Sequence, residues 1–160
     1  SFDGVWIDEI GYLFSDNGQD AEGGDFPDEE INLLVEGAEY GWLEESKDDP
    51  NPAGTESPVA TWTPHTSVNG MTTRPANLPG NEYTVYATVY GSWATILPAG
   101  HQILKIDFTQ TDDGWEGDVE IFASGVGTPL PITAGPDDNL YYATFDHGGA
   151  VYVISPEANS

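Results

Sequence analysis

Oxygen ligands crowd one stretch near the start of the chain, where Asp16, Asp20, Glu22, Asp25, Asp28 and Glu29 are interleaved with Gly18, Gly23 and Gly24. A hard cation such as Ca²⁺ takes about six to eight oxygens, so calcium is the first chemistry these residues suggest. The stretch does not follow the EF-hand pattern, because a glycine comes two residues after Asp16 rather than five. The competing reading is that these acids belong to a generally acidic surface. Other reactive groups are sparse. His65, His101 and His147 show no metal-ligand spacing, and each reads as structural. Ser92, in Gly91-Ser92-Trp93, lacks the Gly-x-Ser-x-Gly elbow of a serine hydrolase. The absence of cysteine excludes disulfides, thiolate zinc sites and cysteine nucleophiles. The cations are Arg74, Lys47 and Lys105 alone. Arg74 follows Met71-Thr72-Thr73 and is either within reach of an anion site or an ordinary surface group. Lys105 alternates with Leu104 and Ile106 and reads as solvent-facing. Trp42, Trp62, Trp93 and Trp115 suit either stacking on a sugar or packing, and Trp115 sits in a polar turn that favours exposure.

Positioning such groups requires a folded scaffold, and the composition supplies one. Against 28 acidic residues stand 3 basic ones, a formal charge of −25, yet 38% of the residues are hydrophobic and 12% aromatic. Disordered acidic tails lack that apolar content. A folded domain with an acidic skin follows. Nucleic acid and anionic membrane surfaces carry the same sign as this chain and are excluded as partners. No apolar run approaches the roughly 20 residues of a spanning helix, and no segment resembles a signal peptide. Self-repulsion at this charge acts over a Debye length of about 10 Å in 0.1 M salt and about 3 Å in 1 M salt. The composition therefore points to a salt-rich environment. At 160 residues the chain reads as a single domain, 1–160, whole or as a fragment of a longer one.

The elements are strands. Residues 12–15, 31–35, 59–62, 83–90, 102–108, 118–122, 139–144 and 150–154 are rich in β-branched and aromatic residues and bounded by Gly, Pro, Asp or Asn. No helical periodicity is present, and the fold class is all-β. A weak repeat runs through it: Gly11-Tyr12-Leu13-Phe14-Ser15 returns as Asn139-Leu140-Tyr141-Tyr142-Ala143, 128 positions later, with Tyr83-Thr84-Val85-Tyr86 between. Propeller blades run about 40–50 residues, so that offset is about three blades. Unrelated short strands in a sandwich are the alternative.

More specific is the order of motifs. Asp16-Asn17-Gly18-Gln19-Asp20, Gly23-Gly24-Asp25-Phe26-Pro27-Asp28-Glu29-Glu30-Ile31-Asn32-Leu33-Leu34 and Gly37-Ala38-Glu39-Tyr40-Gly41-Trp42 resemble a signature loop of the soluble PQQ-dependent sugar dehydrogenases, the glucose/sorbosone and aldose sugar dehydrogenase family. Pro64-His65 with Gly70-Met71, Gly91-Ser92-Trp93 with Pro98-Ala99-Gly100, Phe122-Ala123-Ser124-Gly125, Ala134-Gly135-Pro136-Asp137 and the final 149–154 follow in the family's order. The resemblance covers the C-terminal half of a six-bladed propeller. It implies a β-propeller-like half of about three blades that closes its ring with a second copy, as a homodimer, or with a complementary N-terminal half. It further implies an extracellular or periplasmic location and a sugar ligand.

The family's reaction is oxidation of an aldose at the anomeric carbon by hydride transfer to pyrroloquinoline quinone (PQQ). By resemblance, carbonyls at Gly18 and Gln19 would hold the quinone's Ca²⁺, and Arg74 is the candidate for its carboxylates. A structural Ca²⁺ would use Glu30, the carbonyl of Tyr40 and an acid at Asp48 or Asp49. The family's catalytic base belongs to the absent half, so no catalytic residue is assigned here. Ala94-Thr95 and Thr128-Pro129 replace the family's usual Asn-Arg and Arg-Pro, which removes the arginines of the cofactor clamp. The expectation is a half-propeller that is not catalytic alone. The alternative is a non-catalytic, self-associating module that binds carbohydrate or calcium.

Overall fold

The structure, a computed structural model, describes residues 1–19, 26–42, 45–92, 99–146 and 148–156. Eleven strands and no helix occur among them: β1 (Gly4–Ile7), β2 (Gly11–Asp16), β3 (Glu29–Leu33), β4 (Ala60–Trp62), β5 (Val68–Thr73), β6 (Thr84–Val89), β7 (Gln102–Thr111), β8 (Gly114–Ser124), β9 (Pro129–Ala134), β10 (Leu140–Thr144) and β11 (Ala150–Ile154). They form three antiparallel meanders, β1-β2-β3-β4, β5-β6-β7-β8 and β9-β10-β11, each a blade in sequence order. The all-β, three-bladed expectation holds. The weak repeat now has a physical meaning, since its three copies fall on β2, β6 and β10, the second strand of each sheet.

The middle sheet is packed on both sides. Val85, Ala87, Val89, Leu104, Ile106 and Phe108 meet Leu13, Ile31 and Ala60 of the first sheet. Tyr86 and Ile103, from the other face, meet Ile132, Leu140 and Tyr142 of the third. All six residues of β6 are therefore buried, and its sequence has no need to alternate. The end sheets differ: Trp6, Tyr12 and Leu34 of the first, and Phe145, Val151, Tyr152 and Val153 of the third, are exposed.

β5 was not anticipated as a strand. Asn69 and Gly70 interrupt its apolar pattern, and a register shift between Val68 and Met71 bends it. β5 lies between blades, where side chains must give way to a neighbouring backbone. The β7–β8 hairpin is longer than its apolar core, because polar residues at its tip continue the pairing to Thr111↔Gly114. Lys105 is not solvent-facing. It is only 8% exposed, with Nζ at 2.5 Å from Asp107 Oδ2 and 2.7 Å from Glu120 Oε1. Its stem lies on the packed face beside Tyr86, while its head meets two acids at the rim.

Candidate functional site

β2 and β3 are paired through Asp16↔Glu30, so the loop joining them leaves and returns at one end of the first blade. Gly18 sits there under the cis Phe26-Pro27 segment, and a Cβ would run into Pro27 and the Asp28 carbonyl oxygen. Side chains alternate along β3, and this divides the acids into two groups. Glu30 points away from the second blade, into a depression that it shares with Asp16, Gly18, Asp28, Tyr40 and Glu45. Glu29 points toward the second blade.

In the outward depression, burial pushes the Glu30 carboxyl up to about 7, with the charges of Glu45, Asp16 and Asp28 acting in the same direction and Asn32 opposing them. Asn32 Nδ2 donates to Glu30 Oε2 at 3.0 Å, and Asn32 Oδ1 is buried with no partner among the described residues. Asp28 and Glu45 are raised too, chiefly by burial. Such a set of crowded oxygen donors suits a hard cation. As placed, no three carboxylate or imidazole groups among the described residues stand close enough to grip one ion. The sequence-predicted Gly18, Glu30 and Tyr40 are brought together here. The Tyr40 ring packs edge-on against Phe14, and its hydroxyl bridges Val35 N and Leu33 O, which holds the covering loop down. Gln19 lies at the rim, where its side chain bonds Glu45. Asp49 does not join them: it is exposed in a tight turn closed by reciprocal backbone bonds with Ser46. Glu45 and Asn32 had no signal in the sequence beyond polarity. Asp20, Glu22 and Asp25 lie outside the described residues.

Arg74 stands elsewhere. It follows β5, whereas Ser67, at the other end of that strand, shares Glu29 with the Gly18 loop. About seven extended residues separate the two ends, roughly 20 Å. The guanidinium donates to the carbonyls of Asn81, Pro75, Ala76 and Leu78, clasping the turn that precedes β6. A tricarboxylate such as PQQ needs cationic partners near its metal. Arg74 and Lys105 are committed to structural contacts away from Gly18, which leaves Lys47, beside Asp28, Glu30 and Glu45, as the one cation close to it among the described residues; a single lysine among those acids does not make a clamp for three carboxylates.

Of the other singled-out residues, His101 donates from Nδ1 to Gly127 O, 2.8 Å away, and its ring fills the space that a Gly91 side chain would need. His65 is buried beside Glu29. Trp62 packs on the core, and Trp115 is half-buried against Tyr83 rather than free. Trp42, which the sequence left open between stacking and packing, is 57% exposed at the mouth of the depression. Trp93, Ala94, Thr95 and His147 lie outside the described residues.

No family model matches this sequence, and no curated protein matches it. Solved structures do. The apo-form of the soluble aldose sugar dehydrogenase of Escherichia coli superposes with a TM-score of 0.62 at 17% identity, over 97% of this chain and 44% of that one. The calcium structure of a Trichoderma reesei carbohydrate-active enzyme of family AA12 gives 0.69 at 16% identity, over 98% and 52%. The holo PQQ domain of the Coprinopsis cinerea pyranose dehydrogenase gives 0.58 at 15% identity, over 91% and 50%. The chain thus spans about half the length of the structures it matches. Its fold is that of about half of a PQQ-dependent sugar dehydrogenase, a three-bladed part of a propeller.

Proposed function

We propose that this chain is one half of a sugar dehydrogenase-like propeller, with a calcium-binding first blade, and that its central site is complete only when a second half closes the ring. The observation that carries this reading is the contrast between blades: the middle sheet packs a neighbour on each side and buries β6 on both faces, while the two end sheets expose Trp6, Tyr12 and Leu34 on one side and Phe145 and Val151 on the other. Apolar surface of that kind calls for a partner. Either a second copy or a complementary half fits the gap, as does the match to about half of each solved dehydrogenase. Aldose oxidation by the chain alone is not expected, because Lys47 is the one cation beside the depression among the described residues and cannot by itself hold three carboxylates. The test is dye-coupled aldose oxidation in molar KCl with Ca²⁺ and PQQ. No turnover is expected from the isolated chain, and turnover would sink the reading.

A second reading, a carbohydrate-binding module without catalysis, is favoured by the exposed Trp42 at the acidic depression. Tryptophan fluorescence quenched by aldoses, and lost in Trp42→Ala, would support it.

Calcium binding predicts a particular pH dependence. Glu30 holds its proton better in the native state than its ordinary value of 4.5 allows, up to about 7, so stability falls as pH rises through that window. A bound cation offsets this by favouring the ionised form. Without Ca²⁺ the melting temperature should drop by on the order of 5 °C between pH 5 and pH 8. Millimolar Ca²⁺ should restore it at pH 8 and do little at pH 5. Glu30→Gln should flatten the pH profile and remove the calcium response. A calcium effect that is equal at both pH values would exclude Glu30 as a ligand.

Likeness to the sugar dehydrogenases leads us to place the protein in an extracellular or periplasmic setting, and its charge of −25 to make that setting salt-rich. Among the described residues no helix is long and apolar enough to cross a membrane. Raising KCl from 0.1 to 2 M should lift the melting temperature by about 5 °C as self-repulsion is screened. A flat response would refute the high-salt adaptation.

A further inference from the structure

Side chains alternate along β3, so Glu29 shares a face with Ile31 and enters the seam between the first and second blades, opposite to Glu30. It is 2% exposed. One of its oxygens is fully used: Oε1 accepts from Thr66 N at 2.7 Å and from Ser67 N at 3.0 Å. The Gly18 N–H and the His65 ring also favour the ionised carboxylate. Its other oxygen, Oε2, is buried with no hydrogen-bond partner among the described residues. Asn17 stands across from Glu29, one step beyond the Asp16↔Glu30 pair. Its Nδ2 donates to Asn69 Oδ1 at 3.1 Å, which turns its own Oδ1 away from Asn69. That oxygen too is buried with no partner among the described residues. Turning the Asn17 amide over would only move the difficulty, because Oδ1 would then face Asn69 Oδ1.

Two acceptors in one buried seam cannot satisfy each other, and each calls for a donor or a positive charge. Three basic side chains are occupied elsewhere. Arg74 clasps backbone carbonyls, Lys105 lies between Asp107 and Glu120, and Lys47 lines the depression on the far face of β3. A divalent ion fits poorly, since no three carboxylate or imidazole groups stand together among the described residues. A singly charged ion matches the single carboxylate and asks only for neutral oxygens beside it. We propose that Glu29 Oε2 and Asn17 Oδ1 hold one alkali-metal ion, Na⁺ or K⁺, in the seam between the first two blades. The ion offsets the Glu29 charge where burial makes it most costly. The site is separate from the calcium reading, which rests on Glu30 on the other face of β3. It divides the salt response of the protein into two parts. Screening acts up to molar salt and does not tell one cation from another. The seam site saturates at low concentration and does.

The test is the melting temperature of the full chain at pH 8, with EGTA and with chloride held at about 1 M, as choline is exchanged for Na⁺ or K⁺. A site half-filled at about 10 mM should raise the folding equilibrium about tenfold at about 0.1 M of the bound ion, a shift of about 4 °C. The ion that gives the larger shift is the one the site prefers. Glu29→Gln, which offers an N–H₂ toward Asn17 in place of the ion, should melt at one temperature in all three salts. Asn17→Asp, which sets two carboxylates face to face, should enlarge the shift. Crystals soaked in rubidium should show an anomalous peak between Glu29 and Asn17. Equal melting in choline, Na⁺ and K⁺ would overturn the proposal and leave a proton or a water to bridge the two oxygens. An ion-specific shift that survives in Glu29→Gln would overturn it as well, by placing the ion elsewhere.

Discussion

Gly70→Ala should destabilise the protein by about 3 kcal/mol, at the upper end for an overpacked core, and lower its melting temperature by about 10 °C. Gly70 lies in β5 where the second blade meets β9 of the third. A Cβ there would strike the Leu130 carbonyl oxygen and would lie 3.1 Å from Thr88 Oγ1 and 3.2 Å from Ile132 Cγ2. The first obstacle is backbone and cannot rotate away. The second is a hydroxyl that already joins the blades, accepting from Gly70 N at 2.9 Å and donating to Leu130 O at 2.7 Å. Adding one methyl group therefore breaks a bridge as well as crowding a contact. The loss should be local in character, with faster amide exchange in β9 and β10 than in β6. Thr88→Val, which removes the bridge without adding a side chain at position 70, should cost less, about 1–2 kcal/mol. An alanine variant that melts within 2 °C of the parent, by calorimetry, would show that the blades do not meet as closely as described.

Gly70 also shows where the sequence could be read and where it could not. Strands that alternate apolar and polar residues, such as β7 with Leu104, Ile106 and Phe108, announce themselves, even though Ile103 and Lys105 on the other face of β7 are buried too. β6 was legible through its β-branched and aromatic content even though both of its faces are buried. β5 was not, because the feature that makes it a strand is a neighbouring backbone rather than its own side chains. The outward depression was half legible. The resemblance gave Gly18 to one ion and Glu30 and Tyr40 to another, whereas cross-strand register, which carries Glu30 beside Asp16, gathers all three around one depression. Asp49 and Arg74 were misplaced for one shared reason: their roles depend on where turns send them. Asp49 closes a turn on Ser46, and Arg74 spends its donors on the carbonyls that follow it. Lys105 was misread because alternation gives the face of a side chain, not whether a third sheet covers that face.

Glu29→Ala should cost about 3–5 kcal/mol, as expected when one partner of a buried charged contact is removed. Glu29 is 2% exposed, and its Oε1 accepts from Thr66 N at 2.7 Å and Ser67 N at 3.0 Å. Those donors belong to a loop held in left-handed backbone at His65 and Ser67, both with φ of 57°. Such backbone persists only where its surroundings fix it. Alanine would leave two buried N–H groups without an acceptor and release the connection between the first and second blades. Glutamine should behave differently. Burial already pushes the Glu29 carboxyl up, so its charge is a liability in the native state. Its Oε2 has no partner among the described residues, and neither does Oδ1 of Asn17, the residue opposite it one step beyond the Asp16↔Glu30 pair. A glutamine keeps the accepting oxygen for Thr66 and Ser67 and offers an N–H₂ to the Asn17 side. Glu29→Gln should therefore stay within about 1 kcal/mol of the parent at pH 5 and gain on it as pH rises, because ionising the parent's buried carboxyl costs native stability. Urea unfolding of the two variants at both pH values decides the matter. Equal losses for alanine and glutamine would mean that the carboxylate charge, not the accepting oxygen, holds the loop.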